Sequence, residues 1–183
     1  VSPCRLCSGE ASSPFHDEAG FHYRQCAECG FVYLDPRPTD QESHELYQAE
    51  SGATFHHGAE TGEAYEKRLE ARLRFRLIRE SRSVFPRRAL EIGCGAGYFL
   101  DHLRRAGWET MGCEAAEVYV RFSRERLDLD VRRDLSECAG PFGAAFLFNV
   151  LSHLPDPERD LRTIREKLAD GGIVVIETGN APE

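Results

Sequence analysis

Two groups of residues in this 183-residue chain have the types and spacing to do chemistry. The first is a set of four cysteines in two Cys-x-x-Cys pairs, Cys4 with Cys7 and Cys26 with Cys29. A two-residue gap lets both sulfurs of a pair converge on one tetrahedral ion, and Gly30, just after the second pair, relieves the turn whose N–H groups can face thiolate sulfur. Four sulfurs close a coordination sphere, so a structural Zn(2+) is expected there. The alternatives are four free thiols or a redox disulfide. The second group follows an apolar run, Ala89, Leu90 and Ile92. It holds Glu91, a turn with Gly93, Gly95 and Gly97, and then Glu114, Asp134 and Asn149. Glycine lets the backbone turn sharply and come close to a ligand, and a helix start beyond it aims N–H groups into the same space. Glu114 stands about 20 residues beyond the first glycine, where a carboxylate meets ribose hydroxyls in doubly wound folds.

These residues need a particular set of elements to bring them together. Residues 1–38 read as a zinc-ribbon module. Phe21–Gln25 and Phe31–Leu34 form a hairpin that carries the second cysteine pair at its tip. So short a module cannot bury enough apolar area to fold alone, which makes a metal physically useful. His16 and His22 lie between the pairs and read as solvated. Residues 39–86 form a helical linker or lid region. Thr39 caps a short helix with Glu42 at capping-box spacing, and Glu50–Gly62, with His56 and His57, reads as a loop. A helix is expected over Glu63–Phe85, because Tyr65, Leu69, Leu73 and Leu77 recur at fourfold spacing with Ile78 beside them. Its arginines, 68, 72, 74, 76, 79 and 82, read as a solvated face balanced by glutamates.

Residues 87–183 alternate strands and helices. Strands are expected at 88–93, 108–114, 130–133, 144–149 and 173–178, with helices at 97–106, 118–127 and 158–168 and a single turn near Leu135. The fold class that follows is α/β: a Rossmann-like, doubly wound, mainly parallel sheet behind a small N-terminal zinc ribbon. Strand C-termini share one edge, so Glu114, Asp134 and Asn149 should face one crevice beside Gly93–Gly97.

Composition narrows the function. The formal net charge of −8 argues against a broad nucleic-acid face. No apolar run approaches the roughly 18 residues of a membrane span. Seven cysteines is an odd number, which fits reduced thiols better than a disulfide framework. A soluble cytoplasmic protein is expected. The glycine spacing is not Gly-x-Gly-x-x-Gly, which argues against a pyrophosphate-bearing nicotinamide cofactor.

The chain resembles a class I S-adenosylmethionine-dependent methyltransferase with an N-terminal Cys4 zinc-binding module. The resemblance rests on Leu90-Glu-Ile-Gly-Cys-Gly-Ala-Gly-Tyr98, Met111-Gly-Cys-Glu-Ala115, Arg133-Asp-Leu135, Asn149-Val-Leu-Ser-His-Leu-Pro-Asp-Pro157 and Leu168–Glu177. It implies that Glu91 and the turn Gly93, Cys94, Gly95 and Gly97, with Tyr98, hold the methionine part of the cofactor. It further implies Glu114 and Ala115 at the ribose, Asp134 and Leu135 at the adenine, and Asn149 beside the sulfonium. His153 is the one histidine placed to take a proton from an oxygen or carbon acceptor; its other reading is a loop residue that hydrogen-bonds locally. Cys94 and Cys113 also read as small packing residues.

Two departures stand out. Phe142-Gly143 replaces the usual Phe-Asp before the fourth strand, so local looseness is expected there. The sequence also stops at Glu183, before a further helix and two strands that the resemblance implies. A fragment is one reading. The other is a natural truncation, with a homo-oligomer or partner covering an open sheet edge. The expected activity is methyl transfer to a small-molecule acceptor such as a sugar, polyketide or quinone-like compound. The alternatives are an RNA methyltransferase and a non-catalytic cofactor-binding or scaffold protein.

Overall fold

The computed structural model describes residues 1–54, 62–81, 86–154 and 156–179. The chain divides into two units, Val1–Ser43 and His44–Glu183.

In the first unit, β1 (Ser12–Glu18), β2 (Phe21–Cys26) and β3 (Val32–Leu34) form an antiparallel sheet in that order. The β2–β3 hairpin is the expected one, with Cys26–Gly30 in its turn. Strand β1 was not expected; its Pro14 and three charged or histidine side chains hide the alternation that marks a strand. Among the described residues of this unit, the buried side chains are Cys4 and Cys26, while Leu6, Phe15, Phe21 and Phe31 are exposed. Among its described residues the unit thus buries no large apolar side chain.

Helix α1 (Asp40–Thr54) starts with the expected capping box. The Glu42 N–H donates to Thr39 Oγ1 at 3.2 Å, and Glu42 Oε2 accepts from the Thr39 N–H at 2.7 Å. The helix runs on through Thr54, so the loop expected from Glu50 is helical at its start. His56 and His57 lie outside the described residues.

In the second unit, α2 (Gly62–Ser81) lies where a helix was expected. The stripe that reveals it is not the one that packs. Tyr65 is 71% exposed and Leu77 67%, with Leu69 and Leu73 also exposed. The buried face instead carries Ala64, Ala71 and Ile78, with Phe75 beside them. Small residues let the helix axis approach the sheet closely, which large ones would prevent.

Five parallel strands follow: β4 (Arg88–Ile92), β5 (Glu109–Cys113), β6 (Val131–Arg132), β7 (Phe142–Phe148) and β8 (Leu168–Glu177), in the spatial order β6-β5-β4-β7-β8. Helices α3 (Tyr98–Arg105), α4 (Glu117–Leu127) and α5 (Pro157–Glu166) supply crossovers. The sheet faces alternate residue by residue. Leu90, Ala145 and Leu147 pack with Ile164 of α5, whereas Ala89, Ala144 and Phe146 pack with α2 and α3. The strand order reverses between β4 and β7. In open parallel sheets that reversal opens the crevice where ligands bind, at the strand C-termini.

Two strands start earlier than expected. Strand β8 begins at Leu168 and passes through Gly171-Gly172, which the sequence suggests is a turn. A register irregularity between Phe142 and Ala144 absorbs the two glycines. Strand β7 begins at Phe142 and includes Gly143. Phe142 is fully buried, and a Cβ at residue 143 would lie 1.9 Å from the Pro86 carbonyl oxygen. Glycine there is required by backbone contact.

Candidate functional site

The crevice forms at the C-terminal ends of β4, β5 and β7. Leaving β4, the Gly93 N–H donates to the Cys113 carbonyl at 2.8 Å and the Gly97 N–H to the Cys94 carbonyl at 2.9 Å. Gly93, Gly95 and Gly97 all have positive φ, a region that costs other residues roughly 1–2 kcal/mol each. The three differ in what surrounds them. A Cβ on Gly93 would meet Val150 at 2.4 Å and one on Gly97 would meet Leu129 at 2.6 Å, but nothing lies within 4 Å of the Gly95 position. The first and third glycines serve packing, and the middle one faces open space. Ser123 of α4 steadies it by donating to the Gly95 carbonyl at 3.2 Å.

Glu114 is 1% exposed. Its Oε2 accepts from the Gly95 N–H and its Oε1 from the Ala116 N–H, both at 2.8 Å. The carboxylate thus ties the glycine turn to the end of β5. Helix α1 contributes two residues that sequence reasoning missed. The Tyr47 hydroxyl donates to Glu114 Oε1 at 3.1 Å, and the Gln48 amide donates to the Ala115 carbonyl at 2.6 Å and accepts from the Glu117 N–H at 3.2 Å. Burial, and then the Glu114 charge, push the Tyr47 hydroxyl's pKa up. The capped helix was legible; its reach across 67 residues to Glu114 was not.

Glu91 is 4% exposed, and its buried Oε2 has no hydrogen-bond partner among the described residues. Burial raises its pKa well above the ordinary value; Arg74 opposes the rise and Glu114 adds to it. An unmatched buried carboxylate is costly unless a cationic ligand answers it.

The other expected residues are placed as follows. Asp134 is exposed; its Oδ1 accepts from the Ser136 N–H at 2.7 Å and caps the 3-10 turn Leu135–Glu137. The Ser136 hydrogen bonds hold its pKa below the ordinary value. Leu135 is partly buried against the core. Asn149 ends β7 at φ 55°, its Nδ2 donating to Glu177 Oε1 at 3.1 Å. Tyr98, at the start of α3, has the Arg68 guanidinium 5.2 Å above its ring. His153 is exposed in the 3-10 turn Leu151–His153, with its main-chain N–H on the Val150 carbonyl at 2.9 Å. Cys94 and Cys113 are buried in apolar clusters, as their packing reading expects.

The arginines of α2 are not simply a solvated face. Arg74 is 20% exposed at its side chain and forks onto Glu177, 103 residues away.

In the first unit the four cysteine sulfurs lie within 4.8 Å of one another. Cys4 and Cys29 sulfurs are 3.6 Å apart, as are those of Cys7 and Cys26. Four thiolates around one zinc at about 2.3 Å would stand about 3.8 Å apart, so the geometry fits the ion. The N–H groups of Cys29 and Glu28 draw the Cys26 thiol down to about 7. Ser8 and Gly30, both at positive φ, close the two knuckle turns.

Comparisons with known proteins agree with the geometry. A family described as "Methyltransferase domain" matches residues 62–183. A ubiquinone biosynthesis O-methyltransferase of Caulobacter sp. (strain K31) is 31% identical over 103 residues, 51% of this chain and 41% of the relative. The chain therefore spans under half the length of that relative. Among solved structures, SAM-bound CalS10, an amino pentose methyltransferase from Micromonospora echinaspora, is 25% identical with a TM-score of 0.54, covering 65% of this chain and 56% of that one. DesVI of Streptomyces venezuelae, at 23% identity and a TM-score of 0.53 over 80% and 60% of the two chains, shares the fold. With a parallel five-stranded sheet, a glycine turn at its switch point and a family match over two thirds of its length, the chain belongs to the methyltransferase-domain family.

Proposed function

We propose that the chain binds S-adenosylmethionine at the C-terminal edge of its sheet and transfers the methyl group to a small-molecule acceptor. One observation carries this reading: the buried, unpartnered Glu91 oxygen stands beside a glycine turn whose middle residue faces open space. The residues present suit such a cofactor. Glu91 offers a carboxylate to a cationic methionine portion, the Gly93–Gly97 backbone allows close approach, and Glu114 can accept from ribose hydroxyls. Asp134 and Leu135 stand at the adenine end, and Asn149 near the reacting end. Bound there, the cofactor supplies a methyl carbon already activated by a sulfonium.

The protein's own work is then alignment and exclusion of water. Glu114 holds the turn through two N–H groups, so ribose recognition and cradle shape are one device. Tyr47 and Gln48 cover the same edge from α1. His153 is the proposed proton acceptor for an oxygen or carbon nucleophile, a step that a neutral amine would not need. The relatives' descriptions support a small acceptor of the quinone or sugar type. Acidity of the chain favours this over RNA. We further propose a structural zinc on Cys4, Cys7, Cys26 and Cys29, because their sulfurs converge and the described residues of that unit bury no large apolar side chain.

Incubating the chain with methyl-labelled S-adenosylmethionine and a panel of quinols, polyketides, sugar nucleotides and RNA tests the reading. Label is expected in one acceptor class. Label in RNA and in no small molecule would overturn it.

A further inference from the structure

The sheet places three glutamates on one face. Glu91 shares a row with Phe146 and Val175, and two residues further along Phe148 is registered against Glu177. Side chains two apart project to the same face, which is the face that α2 and α3 cover. Glu114 follows from β5. Against this acidic edge α2 brings a guanidinium. Arg74 Nε donates to Glu177 Oε2 at 2.9 Å, Nη2 donates to Oε1, and Cζ lies 4.3 Å from the centre of the Phe148 ring. Glu177 in turn holds Asn149 twice: its Oε1 accepts from Asn149 Nδ2 at 3.1 Å, and its carbonyl accepts from the Asn149 N–H at 2.7 Å.

A forked arginine–carboxylate pair fixes orientation as well as charge, and the aromatic face beneath holds the guanidinium in place. Asn149 sits at positive φ, a region that asparagine tolerates better than most residues, and the two bonds fix it there. Arg74 also opposes the rise in the pKa of Glu91, so its field reaches the cradle.

We propose that Arg74 is a positioning residue for methyl transfer. From α2 it fixes Glu177, through Glu177 it holds Asn149 at the end of β7, and its charge limits how strongly this acidic edge attracts a sulfonium. The proposal rests on the S-adenosylmethionine reading of the cradle. It makes a prediction that a purely structural role does not. S-adenosylmethionine carries the sulfonium and S-adenosylhomocysteine does not, so the ratio of their affinities reports the field at sulfur. Removing one cation from beside such an edge shifts that ratio by about threefold to tenfold.

The test is calorimetric titration of both ligands into the full chain at low ionic strength, for wild type, Arg74→Gln, Arg74→Lys and Glu177→Gln. Arg74→Gln should move the preference toward S-adenosylmethionine by about threefold to tenfold, and Glu177→Gln should move it the other way by a similar factor. Arg74→Lys should keep the wild-type ratio within about twofold, since the charge stays. A scaffold role weakens both ligands equally. An unmoved ratio in Arg74→Gln and Glu177→Gln overturns the proposal alone; should Arg74→Gln not fold, Glu177→Gln decides by itself. Wild type that binds neither ligand overturns the donor reading and this proposal with it.

Discussion

Replacing Glu91 with leucine should make the protein more stable and unable to bind its methyl donor. The side chain is buried at the end of β4, with Oε2 unpartnered. An unsatisfied buried polar group costs about 1–3 kcal/mol, and an apolar group of similar shape removes that cost. For a chain of this size, 1 kcal/mol shifts the unfolding midpoint by about 2–4 °C, so Glu91→Leu should melt roughly 2–12 °C higher. The gain should depend on pH, with a definite sign. Burial raises the Glu91 pKa in the fold; Arg74 opposes this and Glu114 reinforces it. Between the unfolded carboxylate value, about 4.3, and the raised folded value, the native state holds more protons than the unfolded chain. Wild-type stability from this group therefore falls as pH rises through that window. The advantage of Glu91→Leu should widen over the same window and then level off. Thermal melts followed by fluorescence of Trp108, the chain's single tryptophan, report on the unit that contains the site. A lower midpoint for Glu91→Leu at pH 8, or unchanged affinity for S-adenosylmethionine, would refute the view that this carboxylate waits for a ligand.

Four further outcomes follow from the geometry. Gly93→Ala should cost about 2–4 kcal/mol of stability, because positive φ and the contact with Val150 both oppose a Cβ. Gly95→Ala, facing open space, should cost only about 1 kcal/mol yet weaken donor binding tenfold or more; melting curves beside titrations separate the two. Glu114→Ala should lose donor binding and about 1–3 kcal/mol, since the N–H groups of Gly95 and Ala116 lose their acceptor; unchanged affinity would remove Glu114 from the ribose role. Purified chain should contain about one zinc, and Cys26→Ser or strong chelation should release it and unfold the sheet of the first unit, as read by metal analysis and circular dichroism; zinc-free protein with an intact sheet contradicts the assignment.

Much of this architecture was legible in the sequence because its signals are local. The apolar run before Gly93, the spacing of the glycines and the alternation of strands and helices sufficed for the parallel sheet and the crevice at its strand ends. The cysteine spacing sufficed for the four-sulfur cluster. What escaped depends on partners far along the chain. The packing face of α2 was hidden because Ala64, Ala71 and Ile78 are small or widely spaced, while the larger Tyr65, Leu69, Leu73 and Leu77 set a louder period and face outward. Arg74 looked like any member of an arginine run; only the fold brings it to Glu177. Tyr47 and Gln48 likewise gain their roles from Glu114 and Ala115, which the sequence places in another segment. Gly143 looked like a lost aspartate, and its reason lies in the backbone of Pro86.

The crevice beside Gly95, Glu91 and Glu114 is proposed to receive S-adenosylmethionine. Calorimetric titration of the full chain with that compound tests it directly. Saturable binding of one molecule per chain is expected, lost in Glu114→Ala and in Glu91→Leu while both variants remain folded. Absence of binding at millimolar cofactor, or binding that survives both substitutions unchanged, would contradict it.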